Sequence, residues 1–162
     1  MKIKSCLRLV GRREFVDFPE FQLCNLEAKI DTGAYTSVLH CHDIEERVKE
    51  GSKHLFFKLL DPFHPEYNTQ EHSTSEFLRK VVRNSFGEQE ERFVIKTLIR
   101  IGKKKVRSSV ALTDRGNMRY PVLLGRKFLK KSFLVDVCQV HLGGLALSEN
   151  SDYLRNLKNN QT

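Results

Sequence analysis

The residues best suited to chemistry stand in one short run, Asp31-Thr32-Gly33-Ala34. An aspartate at the end of an apolar strand, followed by a small residue and a glycine, can sit in a tight loop with its carboxylate exposed. Gly33 lets the backbone approach closely where a side chain would clash. Two such loops facing each other would hold two carboxylates too near for both to ionise, and the pair would share a proton. One oxygen could then activate a water while the other carboxyl protonates a substrate carbonyl. The sequence has a single Asp-Thr-Gly and no internal repeat, so in 162 residues the second half-site has to come from another chain. The same tripeptide also suits an ordinary turn, because Asp side chains bond backbone N–H groups two residues on.

Other reactive residues give weaker patterns. His40, Cys41 and His42 lie together, and His-x-His on a strand points both imidazoles to one face. A catalytic zinc needs a third ligand and an open position. There is no H-E-x-x-H, and His54, His64, His72 and His141 lack ligand spacing, so no metal site is expected. Cys6, Cys24, Cys41 and Cys138 show no C-x-x-C spacing and read as small apolar residues in a reducing cytoplasm, a disulfide remaining open. Neither G-x-x-x-x-G-K-[ST] nor G-x-G-x-x-G occurs, so no nucleotide cofactor is expected.

The elements that must position these residues read as all-β. Residues 24–30 alternate apolar and polar side chains and run directly into Asp31, with a second strand at 37–41. Residues 7–10 and 14–18 flank Gly11-Arg12-Arg13, which reads as a hairpin turn. Residues 93–101 and 105–112 form the clearest hairpin, around Gly102-Lys103-Lys104. Helix is expected only as a turn or two over 43–50, ended by Gly51, and over 126–131. Two prolines and many polar residues make 61–75 a long loop. Residues 1–147 read as one domain, and 148–162 as a polar, frayed tail.

Charge adds one constraint. The formal net charge is +8, from 28 Lys+Arg and 20 Asp+Glu. Residues 79–131 hold 16 of those bases and only 4 acids, a local surplus of 12. Such a segment attracts acidic polypeptide, nucleic acid or an anionic surface. Nucleic acid is not favoured, since no helix-turn-helix, RNP or zinc pattern accompanies the charge. No apolar run approaches ~20 residues and the first residues lack a signal-peptide core, so a cytoplasmic protein without a membrane span is expected.

Several motifs in order then carry a resemblance. They are Gly11-Arg12-Arg13-Glu14, Ala28-Lys-Ile-Asp-Thr-Gly-Ala-Tyr-Thr-Ser-Val-Leu-His40, Arg83-Asn-Ser-Phe-Gly87, Leu112-Thr-Asp-Arg115, Met118, Leu123-Leu-Gly-Arg126 and Phe133-Leu-Val-Asp136. Spread over about residues 7–137, they resemble the retropepsins, the single-domain aspartic proteases. The match is closer still to a bacterial and archaeal retropepsin-like family often labelled ATP-dependent zinc protease and encoded near RimK-type ATP-grasp ligases. The resemblance implies a closed all-β barrel with one short helix near the C-terminal end, and a homodimeric aspartic peptidase. Asp31 would be catalytic, without a cofactor. Thr32 would bond across to the partner loop, and Gly33 and Ala34 would line the floor. Leu123, Leu124 and Gly125 would pack beneath the loop, with Arg126 bracing it.

Two departures stand out. Retroviral enzymes carry an Asp two residues beyond the glycine to pair with the arginine; here that position is Tyr35, leaving Arg126 to bond carbonyls or another acid. The flap candidates Asn84, Ser85, Phe86 and Gly87 contain one glycine, which suits a stiffer lid or an ordinary hairpin turn. The family's association with glutamate-adding ligases suggests a polypeptide substrate with acidic, glutamylated tails. The alternatives are a non-catalytic protein- or RNA-binding module using the basic stretch 79–131 and, less favoured, a zinc hydrolase.

Overall fold

Alternating apolar side chains drive the chain into strands that bury one face, and those strands curl into a barrel. The computed structural model describes residues 7–83, 86–114 and 119–146. In chain order the strands are β1 (Arg8–Gly11), β2 (Arg13–Phe18), β3 (Leu23–Ile30), β4 (Ser37–Lys49), β5 (Ser52–Leu59) and β6 (Glu71–Thr74). They continue as β7 (Phe77–Arg83), β8 (Gln89–Ile101), β9 (Lys104–Thr113), β10 (Val122–Leu124), β11 (Phe133–Asp136) and β12 (Leu145–Ala146). The one α-helix among the described residues, α1 (Arg126–Leu129), lies where a short helix is expected, and a single 3-10 turn over Pro19–Phe21 links β2 to β3.

The main sheet runs β10-β3-β2-β8-β9-β4-β5-β6, and β10 also pairs with β4. That extra pairing closes β10, β3, β2, β8, β9 and β4 into a ring. Its interior holds the principal core, including Val16, Phe18, Leu26, Leu39, Ile99, Leu112, Leu124 and Phe128. Two long hairpins, β4–β5 and β7–β8, extend beyond the ring. A small second sheet, β11-β1-β12, joins the two ends of the described chain.

Three expectations change. Residues 43–49 are strand, not helix, and Glu50 begins the turn. β4 bulges after His42, where Asp43 takes φ 51°, and its pairing with β5 then continues to a two-residue turn. Glu50 and Gly51 both have positive φ (52° and 78°), the twist that a tight hairpin requires. Gly11-Arg12-Arg13 is not a hairpin turn, because β1 and β2 belong to different sheets. Arg12 bridges them instead, its N–H donating to the Gln139 carbonyl and its own carbonyl accepting from Ile30. The loop expected over 61–75 shortens, because 71–74 pair with β5 as β6. The β8–β9 hairpin stands where the sequence puts it. Asn84, Ser85 and the tail 148–162 lie outside the described residues.

Candidate active site

Ile30, buried at the end of β3, pairs with Leu124 in the parallel ladder to β10. The chain then leaves the sheet: Asp31 N–H donates to the Leu124 carbonyl (2.9 Å). Asp31 Oδ1 accepts from the N–H groups of Gly33 (3.0 Å) and Ala34 (3.2 Å). Its Oδ2 has no hydrogen-bond partner among the described residues, and the side chain is half-buried. One carboxylate oxygen is therefore fixed and the other is open to a reactant.

The loop after Asp31 is gripped from β10 and α1. The N–H groups of Arg126 and Lys127 donate to the carbonyls of Ala34 and Tyr35 (2.9 Å each), and Arg126 Nη1 donates to the Thr32 carbonyl (3.1 Å). Arg126 thus bonds a carbonyl, and its guanidinium lies 5.8 Å from the centre of the half-exposed Tyr35 ring. The backbones approach so closely that a Cβ on Gly125 would fall 2.8 Å from the Tyr35 carbonyl oxygen and 2.9 Å from that of Ala34. Gly125 N–H donates to the buried hydroxyl of Ser37 (3.0 Å), a support that the sequence does not advertise. Asp31, Thr32, Gly33, Ala34, Gly125 and Arg126 are brought together.

The register reveals a surface beside this loop. Arg13 pairs with Lys29, Lys29 with Leu123, Leu123 with Val38, Val38 with Ala111, Ala111 with Val94 and Val94 with Leu78. Directly paired residues share a face, so this row crosses seven strands on the outer face of the barrel. Val38, Val94, Ala111 and Leu123 form an apolar cluster separate from the main core. A cavity of about 270 Å³ lies towards the Leu78 end, bordered by Phe77, Lys96 and Ser109 among others. At the other end, a cleft of about 320 Å³ is lined by Arg12, Arg13, Lys29, Ile30, Arg119 and Tyr120.

Of the flap candidates, Phe86 and Gly87 lie at the tip of the β7–β8 hairpin, paired up to Arg83 and Gln89. Phe86 is 90% exposed and Gly87 has φ 80°.

His40 is buried, with Nε2 3.8 Å from Asp61 Oδ2 and Nδ1 without a partner among the described residues. His42 lies within hydrogen-bond distance of the Leu60 carbonyl (2.8 Å). No group of three or more His, Cys, Asp and Glu is placed to hold a metal among the described residues. Cys41 is buried, which pushes its thiol well above the ordinary range, whereas Cys24 and Cys138 are exposed free thiols rather than core residues. The basic stretch is partly neutralised by acids from elsewhere in the chain: Arg79 meets Glu46 of β4, Arg100 meets Asp17 of β2, and Arg107 meets Glu20 in the 3-10 turn Pro19–Phe21. No helix among the described residues is long and apolar enough to cross a membrane.

Sequence reasoning missed three contributors. Ser37, Lys29 and the fully buried Glu14 owe their roles to distant partners. For Glu14 a signal existed, since its alternation with Val16 and Phe18 places it on the buried face.

A model for the retropepsin-like aspartic endopeptidase RimB matches residues 9–142. A "Probable alpha-L-glutamate ligase" from Shewanella pealeana is 32% identical over 132 residues, covering 79% of this chain and 28% of its own length. One of the same name from Desulfotalea psychrophila is 28% identical over 130 residues, covering 80% and 28%. This chain thus spans little more than a quarter of those curated relatives. The crystal structure of Lpg0085 from Legionella pneumophila, described as of unknown function, superposes with a TM-score of 0.65 at 28% identity, covering 84% of this chain and 98% of that one.

Proposed function

The chain belongs to the RimB-like family of retropepsin-like aspartic endopeptidases, and from that premise we propose that it is a homodimeric aspartic peptidase. Asp31 of each protomer activates water for amide-bond hydrolysis, on polypeptides with acidic, glutamylated tails. The observation that carries this reading is the Asp31 carboxylate, with Oδ1 fixed by two N–H groups and Oδ2 open. Thr32, Gly33 and Ala34 form the loop that presents it, and Gly125 and Arg126 brace that loop. The β7–β8 hairpin, with Phe86 and Gly87 at its described tip, serves as the lid. The ligase names of the relatives, and the cationic cleft beside Asp31, support an acidic substrate and a functional link to a glutamate-adding ATP-grasp ligase.

Unbiased peptide-library digestion by the unaltered protein and Asp31→Asn tests the mechanism. Loss of a positioned general base should lower cleavage by about 10²–10⁴-fold, with an unchanged circular dichroism spectrum. Undiminished cleavage by Asp31→Asn, or full activity of a strictly monomeric protein, would overturn it. A second reading, a non-catalytic recognition module, draws on the matched region being about a quarter of longer relatives named for ligation. It expects the unaltered protein to bind acidic peptides without cutting them.

A further inference from the structure

The cationic cleft at the end of the cross-strand row gathers several cations into one concavity. Among the described residues its lining contains four cations and no acid: Arg12, Arg13, Lys29 and Arg119, with Ile30 and Tyr120 between them. Only Arg13 has a carboxylate partner among the described residues, Glu27 at 3.2 Å. Arg12 donates to two neutral carbonyls, those of Val137 and Cys138 (3.2 Å each). The Arg119 guanidinium lies 5.5 Å from the Tyr120 ring centre, and Lys29 makes no side-chain hydrogen bond among the described residues. Elsewhere Arg47, Arg79, Arg100 and Arg107 all meet carboxylates. Arg13 and Lys29 also stand directly opposite each other on β2 and β3. Like charges in that position repel, and an anion between them relieves the repulsion.

Position adds to charge. Ile30, which lines the cleft, immediately precedes Asp31 and is tied by its N–H to the Arg12 carbonyl (2.9 Å). The apolar row from Leu123 to Val94 leads away from the cleft across β10, β4, β9 and β8. At about 4.8 Å per strand, Lys29 to Val94 spans about 19 Å along the sheet. A cavity of about 320 Å³ has room for a carboxylate-bearing side chain, and three cations without a carboxylate partner among the described residues can meet its oxygens with charge-assisted hydrogen bonds.

We propose that the cleft of Arg12, Arg13, Lys29 and Arg119 is a carboxylate-binding subsite that seats an acidic group of the polypeptide beside Asp31. This rests on the peptidase reading for its purpose and on the cleft alone for its chemistry. The carboxylate comes from a glutamate side chain or from a chain terminus, and both present the same planar anion.

The test uses the full chain carrying Asp31→Asn, so that binding is read without cleavage. The probe is a fluorescein-labelled, glutamate-rich decapeptide with a free or an amidated C-terminus, compared by anisotropy with its glutamine counterpart. Lys29→Gln and Arg119→Gln, both at exposed positions, should each weaken binding of the glutamate peptide by about tenfold, with unchanged melting temperature. Lys103→Gln, at the β8–β9 turn, should change it less than about twofold. Sensitivity retained with the amidated peptide assigns the subsite to side chains; sensitivity confined to the free acid assigns it to the terminus. Absent binding, equal binding of the glutamine and glutamate peptides, or indifference to both cleft variants would overturn the subsite, even if cleavage depends on Asp31. Cleavage that survives Asp31→Asn would overturn the peptidase mechanism while leaving a cleft-dependent binding result standing.

Discussion

Gly125 and Ser37 hold the Asp31 loop from beneath without touching its carboxylate. The absent side chain at Gly125 allows two carbonyls of the loop to come within van der Waals distance, and its N–H is satisfied only by the Ser37 hydroxyl. Ser37→Ala removes that acceptor from a buried donor and should destabilise the fold by about 1–3 kcal/mol in urea titrations. It should also lower cleavage, because the loop loses its register; a variant with wild-type stability would refute the bond's importance. The order of motifs that carries the family resemblance singles out Asp31, Gly125 and Arg126 as neighbours, and the structure places them in one loop and its brace. The role of Ser37 was not legible in the sequence, because a serine in an apolar strand acquires meaning only when a partner 88 positions away arrives. The Tyr35 substitution was legible as a departure, and the structure supplies the outcome: Arg126 bonds the Thr32 carbonyl.

Elements were read well where side chains alternate and poorly where charged residues fill both faces. Residues 24–30 alternate clearly, 93–101 and 105–112 are β-rich runs around a turn, and all three are strands. Residues 43–50, crowded with Glu and Arg, fit a helical turn equally well on paper; the pairing of β4 with β5 decides for strand up to Lys49. Gly11-Arg12-Arg13 failed as a turn because the partner of β1 is β11, far along the chain. The crossing between the two sheets is stapled by Glu14, which accepts N–H bonds from Gly11 (2.7 Å), Leu142 (2.9 Å) and Gly143 (2.9 Å). Glu14→Gln presents an amide donor to a donor-only site and should cost about 1–3 kcal/mol or more. Amide exchange at Leu142 and Gly143 should accelerate beyond that of the β8–β9 hairpin; uniform acceleration would argue against a local staple.

At the scale of the molecule, charge is spread more evenly than the sequence suggests, because acids of the N-terminal half reach across to the basic strands. Glu20 shows the consequence for pH. Its ion pair with Arg107 and its bond with Thr97 hold its pKa below the ordinary carboxylate range. A depressed carboxylate stabilises the fold above its unfolded value, about pH 4.3, and loses that contribution as pH falls through the folded value. Burial against Phe21 and Phe57 lowers the pKa of His72, so acidification below its ordinary range, about pH 6.5, also disfavours the fold. Thermal melts should therefore fall from pH 7 towards pH 4. Glu20→Gln should lower stability at pH 7 by no more than about 1 kcal/mol and flatten the acid limb; an unchanged slope would refute the assignment. Closure of the ring has a further consequence, for the order of events as the chain is made. β3 and β4 join only through the three residues of β10, synthesised long after both. Until β10 emerges, a nascent chain therefore carries an unpaired edge on each of those two strands. The latch that covers these two edges is the same strand that steadies Asp31, so ring closure and the bracing of its carboxylate come in one late step, while β6 and β7 stay as edges of the sheet.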